Sequence, residues 1–217
     1  MKLTEPIRDK QYVKRILSYY KDLGQARNHL LLAMSVYTAL RVGDLLRLKW
    51  GDVYDFSGRR VRRSLSLSET KTGKCKILAL NNEVVSILSD FILECESGSD
   101  VINSNLRIRN CYPTKRPCRV PVHPGRYLFE NIRTGKAISR VQVFRIIRAA
   151  AEAVGYGQNI SSHSLRKTFG YHTWKSGVSP AVIMDIYNHS SFAVTRRYVG
   201  VTQDDRNEAY MSLNFTV

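Results

Sequence analysis

Residues 162–200 contain the clearest helix boundaries in this chain: SHSLRKTFGYHTWKSGVSPAVIMDIYNHSSFAVTRRYVG. Ser162 or Ser164 can cap a helix that runs to about Lys175, because a serine oxygen accepts a free backbone N–H of the first turn. A second helix is predicted over about 180–187, where a serine precedes a proline at the first helical position. Two short helices in close succession indicate a helical domain.

The pattern on either side of this stretch also favours helices, with one small sheet. Between Trp50 and Leu80 the period changes to that of strands, with turns at Gly58 and at Lys71–Gly73. Elsewhere the apolar spacing and the capping residues predict helices at Arg27–Tyr37, Val42–Leu48, after a cap at Asn82, at Arg140–Val154 with a Ser139/Gln142 capping box, and at Gln203–Leu213. The predicted fold class is therefore α+β, mainly α-helical, with a small antiparallel β-sheet.

The charge balance points to a polyanionic partner. The chain has 34 Lys and Arg against 18 Asp and Glu, a net charge of +16. These basic residues are spread along the chain, which suits a folded groove that holds a phosphate backbone better than a charged tail. A basic surface without a partner is the alternative. Binding of RNA is disfavoured because the sequence has no aromatic-rich RNA motif.

Composition also limits the compartment and the metal chemistry. No apolar run reaches the roughly 18 residues that a membrane span needs, and Met1–Lys10 lacks the apolar stretch of a signal peptide. The four cysteines form no CxxC pair, and the spacing of Cys111, Cys118 and His123 matches no common zinc motif. We expect a cytoplasmic protein with reduced thiols, no metal and no contact with membranes.

Residues 96–124 interrupt the regular pattern. The stretch from Glu96 to Pro124 is rich in Ser, Asn, Arg and Pro and has no periodicity. Irregular segments of this length are usually functional or mobile. The basic part, from about Asn103 to Pro124, is either a surface loop without function or an arm that contacts DNA.

Four separated segments contain the residue types that phosphoryl transfer needs. Thr38–Leu46 holds Arg41 and Asp44, and Thr70–Lys74 places Lys71 at a predicted hairpin tip. His163 and Arg166 are three residues apart at a helix start and share one face. Asn188-His189-Ser-Ser is followed by Tyr198 nine residues after the histidine. Taken singly, each has an ordinary explanation: a structural Arg–Asp pair, a solvated turn, a chance HxxR, or a tyrosine in the core.

Taken together, these segments closely resemble the tyrosine recombinase (phage integrase) family. Its pattern is an Arg in an A/G-L-R-x-x-E/D-L turn, a hairpin Lys, H-x-x-R, then G-H-S-S and a nucleophilic Tyr. Here the order is the same, and the gaps from Arg166 to His189 and from His189 to Tyr198 match the usual spacing. The resemblance covers about Arg27 to Asp205.

The resemblance implies DNA strand cleavage and rejoining through a covalent 3′-phosphotyrosine, with a role for each matching residue. Tyr198 would attack the phosphate, and Arg41 and Arg166 would clamp it. His189 would donate a hydrogen bond, and Lys71 would protonate the leaving 5′ oxygen. His163 would accept the tyrosine proton or position Tyr198, and Asp44 would support Arg41 from behind. We also expect contacts with DNA from Thr72, Lys74, Arg140, Lys167, Arg196 and Arg197.

The same resemblance implies site-specific recombination of double-stranded DNA by a DNA-bound tetramer, without metal, ATP or other cofactor. A type IB topoisomerase shares this chemistry but acts as a monomer, and the sequence of residues 166–198 favours a recombinase. A DNA-binding accessory protein without catalysis is the rival from another class. The intact catalytic positions argue against it.

Two features depart from the family pattern. Asn188 stands where most members have glycine, and Asn tolerates the left-handed backbone region better than most residues. We also expect no counterpart of the N-terminal helical domain with which most members clamp DNA from the other side. We therefore expect residues 1–217 to form a single catalytic domain, like the short fimbrial-switch inversion recombinases, or to be a piece of a longer protein.

Overall fold

The structure is a computed structural model that describes residues 4–70, 73–97 and 122–212. Its helices are α1 (Lys10–Asp22), α2 (Ala26–Tyr37), α3 (Val42–Leu45), α4 (Trp50–Val53), α5 (Asn82–Ser97), α6 (Arg140–Ala153), α7 (Ser162–Lys175), α8 (Pro180–Tyr187), α9 (Phe192–Val199) and α10 (Gln203–Met211). Its strands are β1 (Tyr54–Asp55), β2 (Arg60–Val61), β3 (Ser64–Ser68), β4 (Cys75–Ala79), β5 (Glu130–Asn131) and β6 (Lys136–Ala137). The prediction of a mainly helical α+β fold is confirmed.

Helix α2 is the centre of the main core. Its run Leu30–Met34 is fully buried, and the helix packs against α1, α5 and α7. A helix that is apolar on nearly every face can only be stable when neighbours surround it. The predicted helix at Arg27–Tyr37 is confirmed to within one residue.

The strands form three separate antiparallel pairs in the described part of the chain. The long pair joins β3 to β4 in a hairpin whose register sets Leu65 opposite Leu78 and Leu67 opposite Lys76. Two details of the secondary structure predicted from the sequence are wrong. Residues 50–53 form helix α4 rather than strand, and Val42–Leu48 is helical only to Leu45.

The helix caps differ from the predicted residues by one position at two places. The N-terminal cap of α7 is Ser161, which exchanges hydrogen bonds with Ser164, and not Ser162 or Ser164. At α5 the side chain of Asn81 accepts from the Val84 amide, so Asn81 rather than Asn82 is the cap. The Ser139/Gln142 capping box of α6 is confirmed.

Helices α7, α8 and α9 form a second, smaller apolar cluster around Ala39, Ile183, Tyr187 and Val199. Helix α9 had not been predicted from the sequence, whereas α8 and α10 had been. The cluster lies where the Thr38–Arg41 turn after α2 meets the C-terminal end of α8. This junction brings together three of the segments that the sequence analysis singled out.

A short extended segment, Thr4–Arg8, crosses α7 and reaches the end of α9; we call it the strap. The Ile7 amide donates to Thr168 (2.9 Å), and Arg8 donates to the carbonyl of Gly200 (3.1 Å). Gly200 has a φ of 71°, and a Cβ there would lie 3.3 Å from both Arg8 and Pro6. The positive φ favours glycine at this position, and a Cβ would also crowd the strap.

Within the ranges given above, no helix is both long and apolar enough to cross a membrane. The basic excursion at Asn103–Pro124, together with Cys111 and Cys118, lies almost wholly outside the described residues, which resume at Val122.

Candidate active site

Arg166 lies at the base of the site. Its side chain is 1% exposed, and its guanidinium donates to the carbonyls of Ala39 and of Tyr187, the latter at 3.2 Å. Burial and then the nearby charge of Arg41 lower the pKa of Arg166. Its Nε is buried with no hydrogen-bond partner among the described residues.

Ala39 adopts a strained backbone conformation that serves this contact. It has a φ of 52°, although it has a Cβ and is fully buried. Non-glycine residues rarely occupy this left-handed region, which costs about 1–2 kcal/mol. The turn directs the Ala39 carbonyl at Arg166, so the strain coincides with a functional contact.

Arg41 is the second guanidinium of the site, and its ion pair is with Glu69. Arg41 Nη1 lies 2.7 Å from a carboxylate oxygen of Glu69, whose side chain is fully buried, while Arg41 itself is 22% exposed. Arg41 Nη2 also donates to the Tyr187 carbonyl at 3.4 Å. Arg41 is therefore fixed from below and keeps a face toward solvent.

The ordinary explanation of the Thr38–Leu46 segment, a structural Arg–Asp pair, is wrong, because Arg41 pairs with Glu69 and Asp44 bonds elsewhere. One oxygen of the Asp44 carboxylate accepts from the amide (2.9 Å) and the hydroxyl (2.7 Å) of Thr70. Arg47 donates to the same hydroxyl. The short helix α3 aims Asp44 at the β3–β4 hairpin, so this residue holds the start of the turn. Lys71 and Thr72, which follow Thr70, lie outside the described residues.

Lys76 is a third cation at this site, and the sequence analysis did not predict it. It is 8% exposed, and its ammonium donates to the carbonyl of Ile186 at 2.5 Å. Burial, and then repulsion from Arg166, lower the pKa of Lys76 to about 8. Lys76, Arg41 and Arg166 thus all donate to the last two carbonyls of α8, where free carbonyls and the helix dipole favour positive charge.

Asn188 ends helix α8 with φ 53° and ψ 42°, which is the left-handed conformation. Asn188 thus adopts the left-handed conformation that glycine, the usual residue at this position in the family, adopts easily and that Asn was expected to tolerate. The turn directs the carbonyls of α8 toward the cations and carries His189 out on the other side.

Tyr187 connects the cations to the aromatic side of the site. Its hydroxyl donates to the Arg166 carbonyl (2.6 Å), and its ring lies 4.6 Å below the Arg166 guanidinium carbon. The same ring stacks on His189 with centroids 5.0 Å apart. Gly170 in α7 makes room for it, because a Cβ there would lie 2.5 Å from the Tyr187 hydroxyl.

Tyr198 lies next to His189 on helix α9. The two rings meet edge to face with centroids 4.6 Å apart, and the Arg166 guanidinium carbon is 5.9 Å from the centre of the Tyr198 ring. His189 is oriented by a hydrogen bond between its Nδ1 and the buried Thr195 hydroxyl (3.1 Å). The structure thus brings Arg41, Arg166, His189 and Tyr198 together.

His163 is at the exposed start of α7, one turn before Arg166. Partial desolvation, followed by the charges of Arg166 and Lys167, lowers the pKa of His163. A lowered pKa keeps the imidazole neutral at neutral pH, which is the form that can accept a proton.

The predicted DNA contacts fall into two groups. Lys74, Arg140, Arg196 and Arg197 are exposed, and the Arg140 guanidinium lies over Gly43, beside the Arg41 turn. The prediction for Lys167 is wrong in this conformation: it is 7% exposed and its ammonium donates to the Thr4 carbonyl at 2.6 Å. It faces the strap because α7 presents that side to the protein interior.

Four residues of the site were missed from the sequence: Glu69, Lys76, Tyr187 and Thr195. Lys76 and Glu69 flank the predicted hairpin lysine, and their burial depends on the strand register. In the described portion, no group of three or more His, Cys, Asp or Glu side chains converges.

Fold and site together define the catalytic domain of a tyrosine recombinase. The chain belongs to the phage integrase family, whose sequence model matches residues 7–204. It is 29% identical to a probable integrase/recombinase, YoeC, of Bacillus subtilis (strain 168) over 97% of both chains. It is 24% identical to a tyrosine recombinase of Pseudothermotoga lettingae over 93% of this chain, but spans only 58% of that protein.

Solved structures agree on the fold. A crystal structure of XerA recombinase superposes with a TM-score of 0.71 at 21% identity, covering 99% of this chain and 68% of that one. The catalytic domain of bacteriophage HP1 integrase gives 0.55 at 16% identity, covering 97% and 95%.

Proposed function

We propose that this protein is a site-specific DNA recombinase in which Tyr198 is the nucleophile. The Tyr198 oxygen attacks the scissile phosphorus, a bond from phosphorus to that oxygen forms, and the bond from phosphorus to the 5′ oxygen breaks. The released 5′ hydroxyl of a partner strand reverses the step. The bond energy is kept in the phosphotyrosine, so the reaction needs no ATP.

The observation that carries this proposal is the convergence of Arg41 and Arg166 on one carbonyl, beside the paired rings of His189 and Tyr198. Two fixed guanidinium groups match the geometry of a phosphate and offset the charge that develops on its oxygens. Because these groups supply positive charge, we propose that no metal ion is required.

Proton transfer falls to residues on either side of the phosphate. We propose that His163, with its lowered pKa, accepts the proton of the Tyr198 hydroxyl. Lys71 would protonate the leaving 5′ oxygen. The support for Lys71 is the family pattern and the anchoring of the residues just before it: Glu69 pairs with Arg41 and Thr70 with Asp44.

Recombination exchanges two pairs of strands, so we propose a tetramer of this protein on double-stranded DNA, acting in the cytoplasm. Exposed Lys74, Arg140, Arg196 and Arg197 would contact the DNA backbone around the site. Structures of the relative XerH bound to its difH substrate support a DNA-bound mode of action.

Covalent capture tests the function. DNA fragments that wild-type protein traps covalently from genomic DNA would define the site, and a nicked duplex of that sequence would be the suicide substrate. Tyr198→Phe should abolish the covalent adduct while DNA affinity changes by less than about threefold, since only the hydroxyl is lost.

Tyr210→Phe is the matched control, because Tyr210 is 78% exposed on the next helix. It should form the adduct at the wild-type rate. An adduct from Tyr198→Phe would assign the nucleophile elsewhere, and failure of the wild-type protein to trap any DNA would remove the proposed function.

A further inference from the structure

Lys76 occupies a position that the strand pattern would normally give to an apolar residue. In β4 Lys76 is buried while the next residue, Ile77, is 75% exposed. On its own face of the hairpin Lys76 is accompanied by Leu65, Leu67 and Leu78. A shift of the strand register by one residue would bury Ile77 and expose the lysine. The observed register is therefore not the one that would bury the most apolar surface. Such local conflicts concentrate at functional sites.

The contact that Lys76 makes explains its burial. Its ammonium donates to the Ile186 carbonyl, next to the Tyr187 carbonyl that accepts from both Arg41 and Arg166. Two residues further on is His189. Lys76 therefore holds the last turn of α8 against strand β4. The same turn carries the carbonyl to which Arg41 and Arg166 bond.

We propose that Lys76 is a positioning residue for strand cleavage: it fixes the last turn of α8 so that Arg41, Arg166 and His189 keep their arrangement around the phosphate. This role rests on the proposed function. The Lys76 ammonium is directed at the Ile186 carbonyl, so it holds the phosphate-binding groups in place and does not itself touch the reacting atoms.

The test compares Lys76→Met with Ile77→Met, an apolar exchange on the outward face of the same strand. Met keeps the length of lysine and removes its charge. At saturating protein, single-turnover cleavage of the nicked duplex should fall at least tenfold in Lys76→Met and stay within twofold of wild type in Ile77→Met. Affinity for the same duplex should stay within threefold of wild type in both. Lys76→Arg, which keeps a cation, should recover part of the rate.

A duplex with sulfur in place of the 5′ bridging oxygen separates positioning from proton delivery. A thiolate leaves without protonation because a thiol has a far lower pKa than an alcohol. If Lys76 supports the phosphate clamp, the tenfold defect of Lys76→Met persists on the sulfur substrate. If the defect disappears there, Lys76 serves proton transfer and the positioning role is wrong.

Thermal unfolding separates positioning from a purely structural role. If Lys76 served only stability, Lys76→Met should lower the melting temperature. Replacing a buried charge with an apolar side chain is often neutral or stabilising, so Lys76→Met should melt at or above the wild-type temperature. Should it fold poorly, Lys76→Gln, which keeps a donor, takes its place in the same comparisons. Wild-type cleavage rates in the folded variant would overturn the inference, whereas an inactive wild type would instead refute the proposed function.

Discussion

The Glu69 carboxylate is fully buried, and its charge is tolerated there because Arg41 lies 2.7 Å away. An isolated ion at that depth would be costly, and the pair is stable because each charge compensates the other. Glu69 therefore fixes Arg41 from behind and leaves the other face of its guanidinium exposed. Asp44 has a different task, since its bonds go to Thr70 at the base of the hairpin turn.

Glu69→Gln should lower cleavage more than Asp44→Asn. The first change removes the charge that fixes Arg41, and displacing a phosphate-binding group by about 1 Å can cost on the order of 100-fold in rate. The second leaves an amide oxygen that still accepts from Thr70. Single-turnover rates on the nicked duplex check this, and a larger loss in Asp44→Asn would return the supporting role to Asp44.

Lys76 should give the protein a distinctive dependence of stability on pH. Its pKa is about 8 in the folded protein and 10.5 in the unfolded chain, so between these values the unfolded state binds more protons. Stability contributed at this site therefore rises as pH increases from 8 toward 10.5, by up to about 3 kcal/mol.

Urea denaturation of wild type and Lys76→Met at pH 7, 8, 9 and 10 would measure that dependence. The free energy of unfolding of the wild type should rise relative to the variant across this range, since every other titrating group is shared. A difference that stays constant with pH would show that Lys76 is not desolvated as described.

Among the elements, α7 and α8 are the pair on which the site depends most closely. Tyr187 from α8 lies over Gly170 of α7, so the approach of the two helices is set by a residue without a side chain. The same approach brings the Tyr187 carbonyl to Arg166. Any side chain at position 170 must separate the helices or move the tyrosine.

Gly170→Ala should destabilise the protein by about 1–3 kcal/mol through overpacking, although the same change in an open helix would stabilise it. Adding Tyr187→Phe removes the hydroxyl that lies closest to the new methyl group. Chemical denaturation of the two single variants and the double variant should show a double variant less destabilised than the sum. Simple additivity would mean that the two residues do not meet.

Much of this helical framework could be predicted from the sequence, and each wrong prediction has a physical reason. Helix α6 followed from its capping box, and α8 from its serine and proline, because both signals are local. Helix α4 was mistaken for strand, since a single helical turn is too short to show a period. The three strand pairs could not be distinguished from one sheet, because pairing is decided by contacts distant in sequence.

The active site divides in the same way. Arg41, His163, Arg166, His189 and Tyr198 were singled out because the spacing of the family motifs is maintained, and their catalytic roles stay predictions. The buried contacts of Glu69 and Lys76 could not be predicted, since they depend on which face of a hairpin is buried, and a shift of one residue reverses that. The role of Lys167 was misassigned because a basic residue near the site was assumed to face DNA.

For the whole molecule, the net charge of +16 sets how binding responds to salt. Each phosphate that the protein neutralises releases counterions, so affinity falls with a slope of about −0.9 per contact on logarithmic scales. With roughly six or more contacts, affinity for the nicked duplex should drop about 1,000-fold or more between ~50 and ~200 mM salt. Gel-shift titrations measure it, and a flat response would mean that few of the exposed cations face DNA.

Cleavage itself should be independent of divalent metal ions. Under the proposed mechanism, Arg41 and Arg166 would supply the positive charge that a metal would otherwise bring to the phosphate. Covalent capture should proceed at the wild-type rate in excess EDTA. Loss of activity in EDTA that Mg²⁺ restores would indicate a different kind of site.

The strap has a consequence for the order in which the protein is made. Arg8 bonds to Gly200, 192 residues away, and the Ile7 amide bonds to Thr168. Translation produces one partner of each contact early and the other late. A nascent chain still attached to the ribosome therefore cannot complete this arrangement until residue 200 has emerged from the exit tunnel. Until that point Arg8 cannot bond to the end of helix α9, so the helix that carries Tyr198 acquires this support only after translation has passed Gly200.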